Sequence, residues 1–484
     1  MTDRPLNVVW MVADHQAHAH HWPTVWRTAL KRRLAREGCN FTRARTVLPV
    51  CSPARASMLT GLYPHAHGVT ENDGRFGGRA GLDPGDRLVH QPLREAGYRC
   101  GWFGKWHVDN HRSASDYGFE GFSLPGYGYP YATPEYRRYL EDAGLPPPVA
   151  EIEMTGESGL AVGTQIDLVD ADEWFDYESG VARLDGPAEA HEAFFLSRLV
   201  ERWLDSLGRD PFFVRIDPWG PHPPYLLASP WRGMFEPSAV EPSHNLLFDL
   251  AGRPSHHHRY RDYWRTTLGL DAQGWRRMVA RALEHVALVE AALLGVVEAV
   301  DRIGLADSTL VVFTADHGDA VGSNGGVSNK GGLMVEETMR IPLLMRGPGV
   351  PPGTTCDQLV SNLDLPTTIL RMCGIDEGVR MHGRNLAELV GEPRALWRTG
   401  FMAQHYGLHE PAPQRCWYAD GWKLVVQEDG FTELYDLDAD PHEMRNLADD
   451  PEHRVRLESL QAGLRDAMSE TGDLDPRLSA ALAT

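Results

Sequence analysis

The chain has 484 residues, 42% of them hydrophobic, which is enough to bury a large core in one major domain with a smaller one appended, so disorder is not its default. A net charge of -20 argues against a general nucleic-acid or anionic-membrane binder, and a small anionic substrate would need local positive charge. Six cysteines, Cys39, Cys51, Cys100, Cys356, Cys373 and Cys416, are scattered without metal-ligand spacing and predict reduced, mostly buried thiols.

The N-terminus passes at once from Met1-Thr2-Asp3-Arg4-Pro5 into an apolar run, too promptly for a signal peptide. No stretch reaches membrane-spanning length, so the expected location is cytoplasmic. Apolar runs rich in β-branched residues, Asn7–Ala13, Tyr98–Phe103, Phe212–Ile216, Thr309–Phe313 and Ile341–Met345, read as buried strands. Between them lie helical patterns, the clearest from about Trp275 to Ile303, and the alternation predicts an α/β domain around a largely parallel sheet. The acidic stretch 151–185 and the stretch 254–263, with His256, His257 and His258, read as surface insertions. From about residue 376 the texture changes, so the division is 1–375 and 376–484. Residues 417–426 and 432–437 read as short antiparallel strands around a turn at Asp429-Gly430, followed by a polar helix from about Pro451 to Glu470.

The chemistry begins at Pro49-Val50-Cys51-Ser52-Pro53-Ala54-Arg55, with a helix expected from Pro53 or Ala54. A helix N-terminus favours anions and lowers a thiol's pKa, so an anion-handling nucleophile is chemically reasonable, although a buried structural cysteine would explain the spacing equally well. Taken together, Cys51, Pro53, Arg55, Thr60 and Gly61 resemble the signature of the type I sulfatases, within the alkaline phosphatase superfamily. The resemblance implies that Cys51 is oxidised by a formylglycine-generating enzyme to an aldehyde whose hydrate carries two hydroxyls on one carbon.

Asp14 follows the first strand and Asp316-His317 the strand Thr309–Phe313, at what would be the carboxyl edge of a parallel sheet. A helix cap would account for Asp14 alone. Beside the Cys51 motif, Asp14, Cys51, Asp316 and His317 match the family's shell for one divalent ion. Calcium is favoured, with manganese or magnesium as alternatives, since oxygen donors suit calcium while an imidazole also suits transition metals. Many sulfatases carry paired aspartates and an Asp-Asn pair at these two places. The arrangement here looks more like the choline sulfatase and phosphonate monoester hydrolase branches.

Gly104-Lys105-Trp106-His107 resembles a further family element, in which Lys105 binds a sulfate oxygen and His107 deprotonates the nucleophile's second hydroxyl. Similarly, the resemblance gives His222 and Lys330 the bridging and leaving oxygens, Arg55 the formylglycine and the transferred oxygens, and Asn72 a substrate contact. A turn asparagine is the other reading of Asn72. His15, His18, His20 and His21 read as solvated or pocket-rim histidines, as do His256 to His258.

The implied fold is an alkaline-phosphatase-like sandwich around a large, mostly parallel sheet, with a small C-terminal four-stranded antiparallel sheet plus a helix. The expected activity is sulfate monoester hydrolysis of a small anionic ester, without nucleic acid or membrane as partner; homo-oligomerisation is left open. The alternatives are a phosphonate monoester or phosphodiester hydrolase with the same site, and a silent anion-binding homologue in which Cys51 stays a thiol.

Overall fold

Val8, Trp10 and Val12 belong to one hydrophobic cluster and Val9, Met11 and Ala13 to another, and all six are fully buried. A strand with both faces buried belongs inside a covered sheet. The computed structural model describes every residue except 1–4, 19–27, 158, 171–179, 377, 379, 483 and 484, and it contains that sheet. Its strands are β1 Asn7–Ala13, β2 Cys39–Arg45, β3 Arg99–Lys105 and β4 Glu120–Leu124. A smaller sheet supplies β5 Val149–Met154, β6 Gln165–Asp167 and β7 Val181–Asp185. Then come β8 Phe212–Asp217, β9 Tyr225–Leu227, β10 Thr309–Ala315, β11 Leu343–Arg346 and β12 Thr354–Ser361.

The large sheet runs β12-β2-β11-β10-β1-β8-β3-β4, and only β11 is antiparallel to its neighbours. The helices Ala29–Glu37, Glu192–Asp205 and Ala272–Arg302 supply one of the two clusters, and Cys51–Thr60, His90–Glu95 and Leu365–Met372 supply the other. Among the described residues no helix is long and apolar enough to cross a membrane. All six cysteines are free thiols, five buried and Cys373 half-buried.

The C-terminal strands β13 Gly400–Gly407, β14 Pro411–Ala419, β15 Trp422–Gln427 and β16 Thr432–Asp436 form a four-stranded antiparallel meander. The helix Arg454–Thr471 packs on it through Leu460, Leu464 and Met468, one face at four-residue spacing.

Four expectations change. Residues 417–426 are two strands, because Asp420 and Gly421 both take positive φ and close a two-residue hairpin. The strand expected at Ile341 starts at Leu343, after Pro342, which has no N–H to give a ladder. The acidic stretch 151–185 is not a plain surface insertion: Ala150, Ile152, Ala182 and Leu184 face the core, and Glu151 and Glu153 hid that two-residue period. Likewise the stretch 254–263 is, from Ser255 on, part of a helix, Ser255–Leu268, that buries His256, His257, Tyr260 and Trp264, so neither His256 nor His257 is solvated.

Candidate active site

Strand register builds the site. Ala13 pairs with Ala315, so Asp14 and Asp316 emerge side by side at the carboxyl edge of the parallel strands. Gly104 pairs with Asp217, which puts Lys105 and Asp217 at the same edge on β3 and β8. All four side chains are fully buried. Four such charges out of water require mutual pairing.

Arg55 does most of that pairing. The helix begins at Cys51, two residues earlier than expected, and Arg55 lies one turn on, near the same face. Its Nε donates to Asp316 Oδ2 at 2.9 Å, Nη1 to Asp217 Oδ2 at 2.6 Å, and Nη2 to Asp14 Oδ1 at 3.2 Å. The resemblance gave Arg55 the formylglycine and transferred oxygens; in the protein alone the guanidinium donates to these three carboxylates and, through Nη1, to Lys105 O at 3.4 Å. Lys105 Nζ donates to the second oxygen of Asp14 at 2.6 Å and sits 4.3 Å from the centre of the Tyr127 ring.

Cys51 Sγ lies 3.2 Å from His317 Nε2. One ligating atom each from Asp14, Cys51, Asp316 and His317 forms a buried group in which all lie within 4.8 Å of one another. Burial pushes the Cys51 thiol up, but Lys105, Lys330 and His317 outweigh it and bring it down to about 5. Burial likewise opposes ionisation of Asp316, yet His317 and Arg55 hold it well below the usual carboxylate range. Asp316 Oδ1 also accepts from the backbone N–H groups of His15 and His317, at 3.0 and 2.8 Å. His317 Nδ1 faces Gly318 O at 2.8 Å, which assigns the proton there and leaves Nε2 to present a lone pair toward Cys51 when the ring is neutral.

His107, at φ 51°, is buried against the Tyr127 ring with its Nδ1 unpartnered. Burial and the neighbouring Lys105 and Arg55 depress its pKa. His222 Nδ1 lies 2.5 Å from Pro223 O, so Nε2 is the acceptor that meets Lys330 Nζ at 3.4 Å. Burial and Lys330 keep His222 neutral by lowering its pKa. Asn72, half-buried, accepts from Ser52 N–H at 3.0 Å and so fixes the start of the Cys51 helix.

Sequence reasoning missed Asp217, Tyr127, Asn362 and the true place of His15. Asp217 carried the same signal as Asp14, an acid directly after a buried strand. Asn362 Nδ2 holds Asp316 O at 2.9 Å, and no sequence pattern marked either it or Tyr127. His15 and His18 are buried rather than solvated, and His20 and His21 lie outside the described residues.

The sulfatase family profile matches residues 7–375, and a profile for the C-terminal region of N-sulphoglucosamine sulphohydrolase matches 328–470. An ulvan-active sulfatase of Formosa agariphila is 25% identical over 452 residues, covering 91% of this chain and 76% of that relative. A choline-sulfatase of Rhizobium meliloti is 26% identical over 472 residues, covering 96% and 84%. Among solved structures, BT4656 in complex with D-glucosamine-2-N,6-O-disulfate has a TM-score of 0.75 at 19% identity, covering 98% of this chain and 99% of that one. A phosphonate monoester hydrolase from Silicibacter pomeroyi also scores 0.75, at 21% identity and 96% coverage of both chains. These two structures show a shared fold.

Proposed function

This chain belongs to the sulfatase family and is a sulfuric ester hydrolase, and we propose that its nucleophile is residue 51 after conversion of Cys51 to formylglycine by a separate maturation enzyme. The observation that carries this reading is Cys51 Sγ 3.2 Å from His317 Nε2, grouped with Asp14 and Asp316 at the sheet's carboxyl edge. The thiol sulfur stands in for the hydroxyls of the hydrated aldehyde. One hydroxyl would attack sulfur while the leaving alcohol takes the ester oxygen; deprotonation of the other would then expel sulfate and restore the aldehyde.

The donor set fits a divalent ion: two buried carboxylates, an imidazole able to present Nε2, and the oxygens of residue 51. Asp14, residue 51, Asp316 and His317 would hold it. Hard oxygen donors make calcium the first candidate, with manganese or magnesium next. When bound, such an ion supplies Lewis acidity and orients the nucleophile.

The chain's own residues divide the remaining work. Lys105, beside Asp14, takes charge on a sulfate oxygen during attack. His107, kept neutral by its surroundings, accepts the proton of the second hydroxyl. Lys330 and His222, in contact at 3.4 Å, meet the charge that develops on the leaving oxygen. Arg55 holds three carboxylates in register, and Asn72 fixes the helix start with its amide nitrogen left for substrate.

Mass spectrometry of the peptide containing residue 51, from protein made with a maturation enzyme, tests the reading. An aldehyde or its hydrate is expected, and Cys51→Ala should lose essentially all turnover. Only unmodified thiol in fully active protein would sink the mechanism. The imidazole of His317 favours a second reading, phosphonate monoester or phosphodiester hydrolysis by the same residues. Parallel kinetics on aryl sulfate, aryl phosphonate and aryl phosphodiester separate the two.

A further inference from the structure

His15 occupies a place that the chemistry above does not use. Its backbone takes φ 67°, a conformation rare for a residue with a side chain, and its N–H is tied to Asp316 Oδ1 at 3.0 Å. This fixes the ring at the site. The ring is 2% exposed, and neither Nδ1 nor Nε2 has a hydrogen-bond partner in the protein. Two buried, unpaired ring nitrogens are costly unless something meets them.

The neighbours say what that something is. The ring centre of His15 lies 4.5 Å from that of His222 and 4.7 Å from that of His317. It nevertheless stands outside the group of four residues whose ligating atoms cluster for a metal. His15, Gln16, Tyr225 and Asp319 border a cavity of about 10 Å³, the space of one water-sized group. Gln16 Oε1 is also buried there without a partner, while its Nε2 is held by Glu290 at 2.7 Å. Ala17, Pro221, Ala282 and Val286 complete the lining, so the unpartnered nitrogens of His15 and Oε1 of Gln16 belong to side chains at a hydroxyl-sized space, and the His15 ring links that space to His222.

We infer that His15, with Gln16, binds a second hydroxyl of the leaving alcohol, on the carbon next to the one that carries the ester. A neutral imidazole offers one donor and one acceptor, which matches a hydroxyl's own acceptor and donor. The distance scale agrees, because vicinal oxygens are close neighbours and His15 packs directly on His222, the residue to which the proposed function gives the ester oxygen. The preferred leaving group is therefore a vicinal diol or sugar ring rather than a simple aryl or quaternary ammonium alcohol, which has nothing to offer the two nitrogens. This inference rests on the sulfatase reading of the site.

The test compares trans-1,2-cyclohexanediol monosulfate with cyclohexyl sulfate on matured, metal-loaded enzyme, and repeats the pair as methylphosphonate monoesters. The wild type should prefer the diol ester in kcat/KM by about tenfold or more, as a site built around a substrate hydroxyl does. His15→Ala should abolish that ratio with metal content unchanged, and His15→Gln, which keeps a donor and an acceptor, should restore part of it. An equal preference in wild type and His15→Ala, or none in the wild type, overturns the inference. Loss of metal from His15→Ala also overturns it, by placing the imidazole in the metal shell. Turnover of the phosphonates alone would defeat the sulfatase reading, while the ratio would still report on His15.

Discussion

Two regions of this molecule bury dense clusters of charge, and they finish the task differently. At the junction with the C-terminal sheet, Arg45 pairs with Glu336 at 2.6 Å, Lys423 with Glu443 at 2.6 Å, and Arg253 with Glu433 at 3.0 Å. Tyr418 and Tyr435 donate to Glu336 and Glu433, and Glu443 accepts from Glu336 N–H. Among these side chains only Arg253 Nε lacks a partner. At the carboxyl edge of the large sheet the carboxylates are equally well held by Arg55 and Lys105, yet the imidazoles around them keep unpartnered nitrogens, both of those on His15 and Nδ1 of His107. Burial of charge is common to both regions and therefore identifies neither. Unpartnered ring nitrogens also occur beside the junction, on His257, so what separates the two regions is that those of His15 lie on a ring 4.7 Å from that of His317, in the group that also holds Asp14, Cys51 and Asp316.

The largest effects should follow from breaking the active edge. Asp316→Ala should lose bound metal and activity together, whereas Arg259→Ala, in an exposed pair with Glu410, should change neither. Elemental analysis decides it, and full metal content in Asp316→Ala would remove this carboxylate from the shell. Lys105→Ala should slow release of the first equivalent of aryl alcohol by on the order of 10²-fold or more, the scale of losing an oxyanion donor. His107→Ala should release that first equivalent and then stall, because its proton transfer comes after the leaving group has gone. A single-turnover burst with an activated aryl sulfate distinguishes them; a burst in Lys105→Ala with none in His107→Ala would exchange the two roles.

The junction should respond in stability and not in chemistry. Lys423→Met leaves Glu443 and Glu336 short of a cation in a fully buried place, a change worth about 3–5 kcal/mol. Chemical denaturation measures it. Adding Glu443→Gln should recover part of the loss, since the uncompensated charge is then gone. Below the unfolding transition the burst and metal content should match the wild type. A change in either would show that the junction and the active edge are coupled, and the contrast between the two regions would fail.

How much of this was legible in the sequence depended on whether the signal was local. The Cys51 to Gly61 segment is contiguous, and Asp14 and Asp316-His317 stand where apolar runs end, so strand ends located them. Asp217 stands in the same position after Phe212–Ile216 and was readable by that rule. Tyr127 was not, because it reaches the site from an irregular segment after β4, and Asn362, which directly follows β12 and begins a 3-10 helix, was not, because the half-polar run Thr354–Ser361 did not read as a strand. His15 was read as a solvated or pocket-rim histidine because a cluster of histidines suggests solvent; the fold buries it against Asp316 and His222, at the border of a small cavity. The small sheet of β5, β6, β7 and β9 was obscured for a similar reason, its core-facing residues alternating with acids.

The smallest effect sharpens the comparison from beneath the active edge. Glu192, at the start of the Glu192–Asp205 helix, is fully buried, accepts from Gly220 N–H at 3.0 Å, and leaves Oε2 unpartnered. Burial pushes its carboxyl up to about 8, against the pull of the Gly220 and Trp219 N–H groups. An acid whose pKa is raised by folding gives its full contribution below its unfolded pKa, and loses it as pH rises through the folded value. Between the ordinary range near 4.5 and about 8, the unfolded chain gives up a proton that the fold retains, so stability falls with pH. Glu192→Gln keeps an acceptor for Gly220 and has no proton to lose. Its unfolding free energy should therefore decline less than the wild type's between pH 5 and pH 9, by a few kcal/mol at most. Parallel denaturation curves for both proteins read the difference. Identical slopes would mean that Glu192 is already ionised in the fold, with its charge met from the active edge, and the unpartnered oxygen would then count as part of the site rather than of its support.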